Sequence, residues 1–331
     1  MVHVGLMGSK NLSQTKKVLA YDLGGTKVAV GVVSAKGDII EERREPIRLK
    51  AGKTAVIRQL SDYGREYLKK YPEIRLAGVA SAGPLHPERG SLLDPTNFGK
   101  GAKRWGEVPL AHLMEKKLGI PVALENDAAA AMLAEHWIGA ARTSRNAMIL
   151  TLGTGLGTGI IANGKLVRAG RGLHTEAGHI ILKANDPTAK CGCGNLGCAE
   201  AYLSGNGFAR WVKENRWIKS GTSPLEAREI ADLARRGHVG ARHAFHEMAE
   251  LLAVAIHNYV VVFCPEVIVL TGSFAAASDV FLPHAKKRTA QLLKRRREGI
   301  DLLPEIRLSA LDNRAGLLGG AWIALHSGGR L

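Results

Sequence analysis

The residues best suited to chemistry fall in five short runs of the 331-residue chain. In the most specific of these, Cys191-x-Cys193-x4-Cys198, three thiolates lie within eight residues, and Gly192, Gly194 and Gly197 let the loop fold round an ion. A tetrahedral zinc site needs a fourth ligand. His179, twelve residues upstream, is the first candidate and His174 the alternative. A closed Cys3His site leaves no position for water and is structural. Cys264 stands alone. A Cys191–Cys193 disulfide would be sterically poor, and in a cytoplasmic chain such a cluster reads as metal-binding first.

Two runs point to phosphate. In Asp22-Leu23-Gly24-Gly25-Thr26-Lys27, two glycines after a strand let backbone N–H groups approach phosphate oxygens. Thr26 can donate a hydroxyl, Lys27 adds charge, and Asp22 is a hard oxygen group suited to magnesium or its waters. The spacing matches neither a Walker loop nor a Rossmann fingerprint. The second run, Gly153-Thr154-Gly155-Leu156-Gly157-Thr158-Gly159, carries four glycines where a hairpin needs one or two. That excess suggests backbone lying against a ligand. Two such loops, one per domain, could clamp a polyphosphate from both sides.

The remaining runs supply carboxylates. Glu125-Asn126-Asp127 ends a strand and opens a helix. Asp127 can cap that helix, or, at a strand end facing a phosphate donor, take the proton of an attacking hydroxyl. Glu176-Ala177-Gly178-His179 precedes the cysteine loop and Glu200 follows it. A metal knot would hold both glutamates where they accept hydrogen bonds from a polyhydroxylated ligand; singly, each reads as a surface carboxylate.

The elements that must position these runs alternate. Strands are expected at Val18–Asp22, Val28–Ser34 and from Ile39, then a helix over Thr54–Lys70 with Ile57, Leu60, Tyr63 and Tyr67 on one stripe. A strand at Leu76–Ala80, a helix at Leu110–Leu118, a strand at Val122–Glu125 and an Ala-rich helix from Asp127 follow. Ala147–Leu152 and Ile160–Ala162 flank the second glycine run and echo the first strand–glycine–strand unit, which predicts a two-fold internal repeat. Ala241–Phe263 reads as a long buried helix, Glu266–Leu270 as a strand, Phe281–Arg297 as a basic amphipathic helix and Ala315–Ala324 as a closing helix. The alternation is α/β.

Composition bounds the rest. Hydrophobic residues are 46% and charged residues 23%, as in a folded soluble protein. Aromatics at 5% speak against base-stacking RNA platforms. The greasiest stretch, Leu251–Leu270, is interrupted by His257, Asn258, Pro265 and Glu266, so no membrane helix is expected. Met1–Gly8 holds too short an apolar core for a signal peptide, and the expected location is cytoplasmic. The net charge is +16. Lys286-Lys287-Arg288 and Lys294-Arg295-Arg296-Arg297 form the obvious basic patch, read as a solvated face.

In this order, Asp22-Leu-Gly-Gly-Thr26, Glu125-Asn-Asp127, Gly153-Thr-Gly-Leu-Gly157, Glu176-x-Gly-His179 and Cys191-Gly-Cys-Gly-Asn-Leu-Gly-Cys-Ala-Glu200 resemble the ROK family (repressors, uncharacterised reading frames and sugar kinases), and within it the bacterial glucokinases. The resemblance runs from Val18 to about Ala324. It implies two actin-like, ribonuclease-H-like α/β domains around a central cleft, with the zinc-binding loop in the second. The implied boundaries are an extension over 1–17, a small domain of 18–136 plus 315–331, and a large domain of 137–314. The closing helix would return to the small domain.

The resemblance further implies ATP-dependent phosphorylation of glucose, with Asp127 as general base for the sugar 6-hydroxyl. Asn97, Asn126, Asp127, Glu176, His179 and Glu200 would bind the sugar. Asp22, Gly24, Gly25, Thr26 and Lys27 would hold the ATP phosphates with Gly153, Thr154 and Gly155, Asp22 lying near Mg2+, and Gly272 and Ser273 would lie by the nucleoside. His179, Cys191, Cys193 and Cys198 would hold structural Zn2+. A homodimer is implied, with no membrane partner. The alternative substrates are N-acetylglucosamine, N-acetylmannosamine and mannose. A sugar-sensing transcription repressor is the remote reading; it is opposed by the 17 residues before the first strand, too few for a DNA-binding domain, and by the intact Asp127 and phosphate loops. The chain departs from the family pattern at Thr271-Gly272-Ser273, where members often carry two or three glycines, at Thr175, where a small residue is usual, and in the eight-residue spacing from Asn97 to Trp105.

Overall fold

Strands covered on both faces are apolar throughout rather than alternating, and β1 (Lys17–Leu23) and β2 (Lys27–Ser34) are strands of that kind. The computed structural model describes residues 16–95, 98, 104–168, 170, 172–219, 225–294 and 300–327. The extension expected over 1–17 lies outside them apart from its last two residues, and Asn97 lies outside them too. The chain forms two compact units, one running to Asp127 and resuming at Gly316, the other spanning Ala128–Ala315.

In the first unit β1 and β2 form an antiparallel hairpin, and β3 (Ile39–Pro46) pairs with β2 at the edge, where its residues alternate between half-buried and exposed. Helix α1 (Lys53–Lys70) buries Val56, Ile57, Leu60, Gly64 and Tyr67 as one stripe. β4 (Ala77–Ser81) pairs parallel with β1. The short strands β5 (Leu85–His86), β6 (Ser91–Leu93) and β7 (Glu107–Val108) make a small separate sheet. Helix α2 (Leu110–Leu118) stops at Gly119, whose φ of 72° is left-handed. β8 (Val122–Asn126) pairs parallel with β4, completing the order β3-β2-β1-β4-β8.

Helix α3 (Asp127–Ile138) opens the second unit. β9 (Ala147–Leu152), β10 (Leu156–Ala162) and β11 (Lys165–Leu166) are antiparallel neighbours. Then come α4 (Ala199–Leu203), α5 (Gly205–Glu214), α6 (Ala227–Arg235) and the 25-residue α7 (Val239–Phe263). β12 (Val267–Thr271), α8 (Ser278–Leu293) and β13 (Glu305–Leu308) follow, giving the order β11-β10-β9-β12-β13. In both sheets a three-strand antiparallel edge continues into two parallel strands. The short echo between the glycine runs thus marks a repeat of whole sheet topology, of the actin-like, ribonuclease-H-like kind.

Helix α9 (Ala315–His326) packs on the sheet of the first unit, and Gly78 and Gly320 are the reason it comes so close. A Cβ on Gly78 would lie 2.1 Å from the Gly320 carbonyl oxygen. Helix α8 begins three residues before the expected Phe281, with Asp279 in its first turn, where the helix dipole favours a carboxylate. Residues 295–299 of the basic run lie outside the described residues. No described helix is long and apolar enough to cross a membrane.

Candidate active site and metal centre

The parallel strands of the first sheet bring the acidic residues to one edge. Asp22 on β1 is in register with Ala80 on β4, and Ala80 with Glu125 on β8. Asp22 and the pair Asn126–Asp127 therefore leave the sheet at the carboxyl ends of parallel strands, the edge where open α/β sheets carry ligands. The Asn126 amide donates to Asp127 Oδ1 at 3.0 Å and fixes that carboxylate at the start of α3. The β1–β2 hairpin closes with Gly24 N–H donating to the Lys27 carbonyl at 3.1 Å, and it leaves Thr26 and Lys27 exposed.

Burial pushes the Asp22 carboxyl up to about 6, the negative charge of Asp127 adds to the rise, and Arg44 opposes it. The first turn of α9 abuts this carboxyl: a Cβ on Gly316 would lie 2.5 Å from Asp22 Cγ. A carboxyl whose folded value is raised keeps its proton while the unfolded chain loses it. Its contribution to stability is therefore unchanged below about pH 4, falls between pH 4 and 6, and is a full cost of up to about 3 kcal/mol above pH 6. Asp22→Asn is expected to be more stable than the native chain at pH 7, with the difference vanishing near pH 4. Denaturant midpoints at the two pH values check this.

In the second unit the Gly153–Gly155 turn closes with Gly153 N–H donating to the Gly155 carbonyl at 3.0 Å. The Gly153 carbonyl accepts from Gly205 N–H at the start of α5, 2.8 Å away. Gly272 packs against Leu152 at the end of β9, which puts Gly272 and Ser273 beside the same turn. The turn is shorter than the glycine run predicted. β10 already starts at Leu156, so Gly157 and Gly159 are strand residues. They serve packing: a Cβ on Gly157 would lie 2.8 Å from Ala128 Cβ, and one on Gly159 2.6 Å from Met132 Cβ. The turn itself is reduced to Gly153–Gly155. The other two glycines let α3 lie flat on the sheet, a role that spacing along the chain does not reveal.

Glu200 ties this turn to the cysteine loop. Its Oε2 accepts the Leu156 N–H at 3.0 Å, and its Oε1 lies 3.4 Å from Cys191 Sγ. A Cβ on Gly155 would lie 2.6 Å from Glu200 Oε2. Gly155→Ala is therefore expected to displace the Glu200 carboxylate and lower kcat/KM about 100-fold, with the melting temperature little changed. Steady-state kinetics beside a thermal melt checks this.

The Glu176–His179 segment is held by residues that carry no motif signal. Thr158 Oγ1 donates to the Thr175 carbonyl at 3.1 Å and accepts from Ala177 N–H at 3.2 Å, and the Tyr259 hydroxyl donates to the Ala177 carbonyl at 2.9 Å. Burial raises the Glu176 carboxyl, but the His174 hydrogen bond at 2.8 Å and the His174 and His179 charges outweigh it, leaving it below its ordinary value. Glu176 is thus an ionised acceptor at neutral pH.

The ligand atoms of His179, Cys191, Cys193 and Cys198 all lie within 4.8 Å of one another. Cys193 Sγ and Cys198 Sγ are 3.7 Å apart, and Cys191 Sγ is 3.5 Å from His179 Nδ1. With zinc–sulfur bonds near 2.3 Å, sulfurs about 3.8 Å apart are what a tetrahedral ion requires, so the donor set fits zinc. His179 takes the fourth place; His174 is turned to Glu176 instead. The loop is held by Cys191 N–H to the Asn195 carbonyl at 3.0 Å and Gly197 N–H to the Ala189 carbonyl at 2.8 Å.

The ROK family model matches residues 18–327. The chain belongs to the ROK family. A glucokinase of Thermotoga maritima is 31% identical over 316 residues, covering 93% of this chain and 96% of that protein. An N-acetyl-D-glucosamine kinase of Citrobacter koseri is 29% identical, covering 92% and 98%. Among solved structures, the ROK hexokinase of Thermus thermophilus superposes with a TM-score of 0.80 at 30% identity, covering 95% of this chain and 99% of that one. The ROK family glucokinase of Streptomyces griseus, in complex with glucose and AMPPNP, gives 0.73 at 27% identity, covering 93% and 99%.

Proposed function

We propose that this ROK chain is a glucokinase that transfers the γ-phosphoryl group of ATP to the 6-hydroxyl of glucose. The observation that carries the reading is Asp127, fixed by the Asn126 amide at the same sheet edge as the Asp22 carboxyl. Asp127 takes the proton of the 6-hydroxyl as its oxygen bonds to the γ-phosphorus, and the bond to the β-phosphate oxygen breaks to release ADP. Phosphoryl transfer asks chiefly for positioning and charge stabilisation.

The Asp22–Lys27 hairpin and the Gly153–Gly155 turn offer backbone N–H groups to the phosphates, and Gly272 and Ser273 serve the nucleoside. Mg2+ bound near Asp22 would supply charge on the phosphates. Its charge would also favour the ionised carboxylate, against the burial that raises it. Asn126, Glu176, His179 and Glu200 bind the sugar hydroxyls, with Asn97 as a further contact. Zn2+ on His179, Cys191, Cys193 and Cys198 would keep Glu176 and Glu200 in place without entering the chemistry.

The second reading, a kinase of N-acetylglucosamine, N-acetylmannosamine or mannose, is favoured by the N-acetylglucosamine kinase relative. These sugars differ from glucose at the 2-position, where one substituent is worth only about 1–3 kcal/mol. A kcat/KM panel over the four sugars, with magnesium and ATP, decides between the readings. Glucose at least about tenfold above the others supports the first; an N-acetyl sugar at the top replaces it. The assembly is read as a homodimer, consistent with exposed Val262 at the end of α7. Sedimentation velocity tests this, and a monomer across the micromolar range refutes it. The protein is read as cytoplasmic.

A further inference from the structure

A second cluster in the larger unit shares no residue with the cysteine site. His246 and Glu250 sit four residues apart on α7 and so share one face. His284, on α8, reaches the same point. Its Nε2 lies 2.6 Å from Glu250 Oε1, and its ring centroid is 4.3 Å from that of His246. One ligand atom from each of the three lies within 4.8 Å of the other two.

An ion-pair reading covers part of this. Arg288 Nε donates to Glu250 Oε2 at 2.8 Å, so His284, Glu250 and Arg288 form a surface network, and such pairs add little stability. It leaves His246 unexplained, a second imidazole brought against the first and within reach of the same carboxylate. Two imidazoles and one carboxylate are a donor set for divalent transition metals such as zinc, nickel or cobalt. Arg288 holds Oε2 while Oε1 faces His284 Nε2, so an ion would enter between Oε1 and that ring nitrogen, with Arg288 as the outer partner that orients the carboxylate.

The geometry points to a second, surface metal site on His246, Glu250 and His284, taking a zinc-class divalent cation and clipping α7 to α8. With three protein ligands the ion keeps positions for water or an external group. The site is independent of the glucokinase reading.

The test uses the full chain, titrated with cobalt(II) while metal content and absorbance are followed. Charge transfer from thiolate marks filling of the cysteine site; the histidine site adds bound cobalt without it. The native chain is expected to bind about two ions. His246→Ala and His284→Gln are each expected to bind about one, with the thiolate band and the metal-free melting temperature unchanged. Affinity for the second ion should fall at least about tenfold. A native chain that stops at about one ion, or variants that keep the second ion with native affinity, would overturn the proposal.

Discussion

Asp127→Asn is expected to lower kcat about 1,000-fold while the affinity for ATP stays within a few fold of native. Asparagine keeps the shape of the side chain in the first turn of α3, so folding is retained. It cannot take a proton. Asp127 also raises the cost of ionising Asp22, so removing the charge at 127 favours the ionised form of Asp22 and should not weaken a magnesium nucleotide. The pattern to look for is a kcat effect without a nucleotide effect, read from steady-state kinetics beside equilibrium nucleotide binding. A variant with native kcat would remove Asp127 from the base role, and one that no longer bound ATP would place it in nucleotide binding instead.

Loss of the metal from the cysteine site is expected to have the second large effect. Structural zinc sites in small peptides bind with roughly 10 kcal/mol of apparent free energy. Here the loop is backed by the core of the larger unit, including buried Tyr202 and Phe208, so the unit should loosen rather than unfold. Chelation, or Cys198→Ser at a fully buried ligand, is expected to lower the melting temperature by at least ~10 °C and to abolish turnover. The two losses should coincide, because Glu200 touches both Cys191 and the amide after the Gly153–Gly155 turn. Zinc added back after chelation should restore both. Full turnover from metal-free protein would show that the metal does not hold Glu176 and Glu200 for the sugar.

What could be read from the sequence was whatever is local along it. The cysteine loop, the β1–β2 hairpin and the Asn126–Asp127 pair each span a few residues, and each lies as its residue types suggested. The repeat was visible because glycine and threonine recur at corresponding turns, while the matching strand order in both sheets came only with the pairing. Gly157 and Gly159 were misread because a glycine against a ligand and a glycine against a helix look the same in one chain. The choice between His179 and His174 needed three dimensions, since either spacing could reach the cysteines. Thr158 and Tyr259 leave no trace in a motif: one is a threonine among glycines, the other a hydroxyl on an apolar helix, and both act on backbone distant in sequence. The effect of Asp127 on Asp22 depends on β1 and β8, far apart in the chain and brought to one edge by β4 between them.

The central claim is tested most directly by finding where the phosphate goes. Zinc-loaded protein, magnesium, ATP and glucose are incubated, and the products are resolved by phosphorus NMR. The account predicts glucose 6-phosphate formed mole for mole with ADP, and neither product with Asp127→Asn beyond a trace. ADP without a sugar phosphate, or phosphate on another hydroxyl, would contradict it.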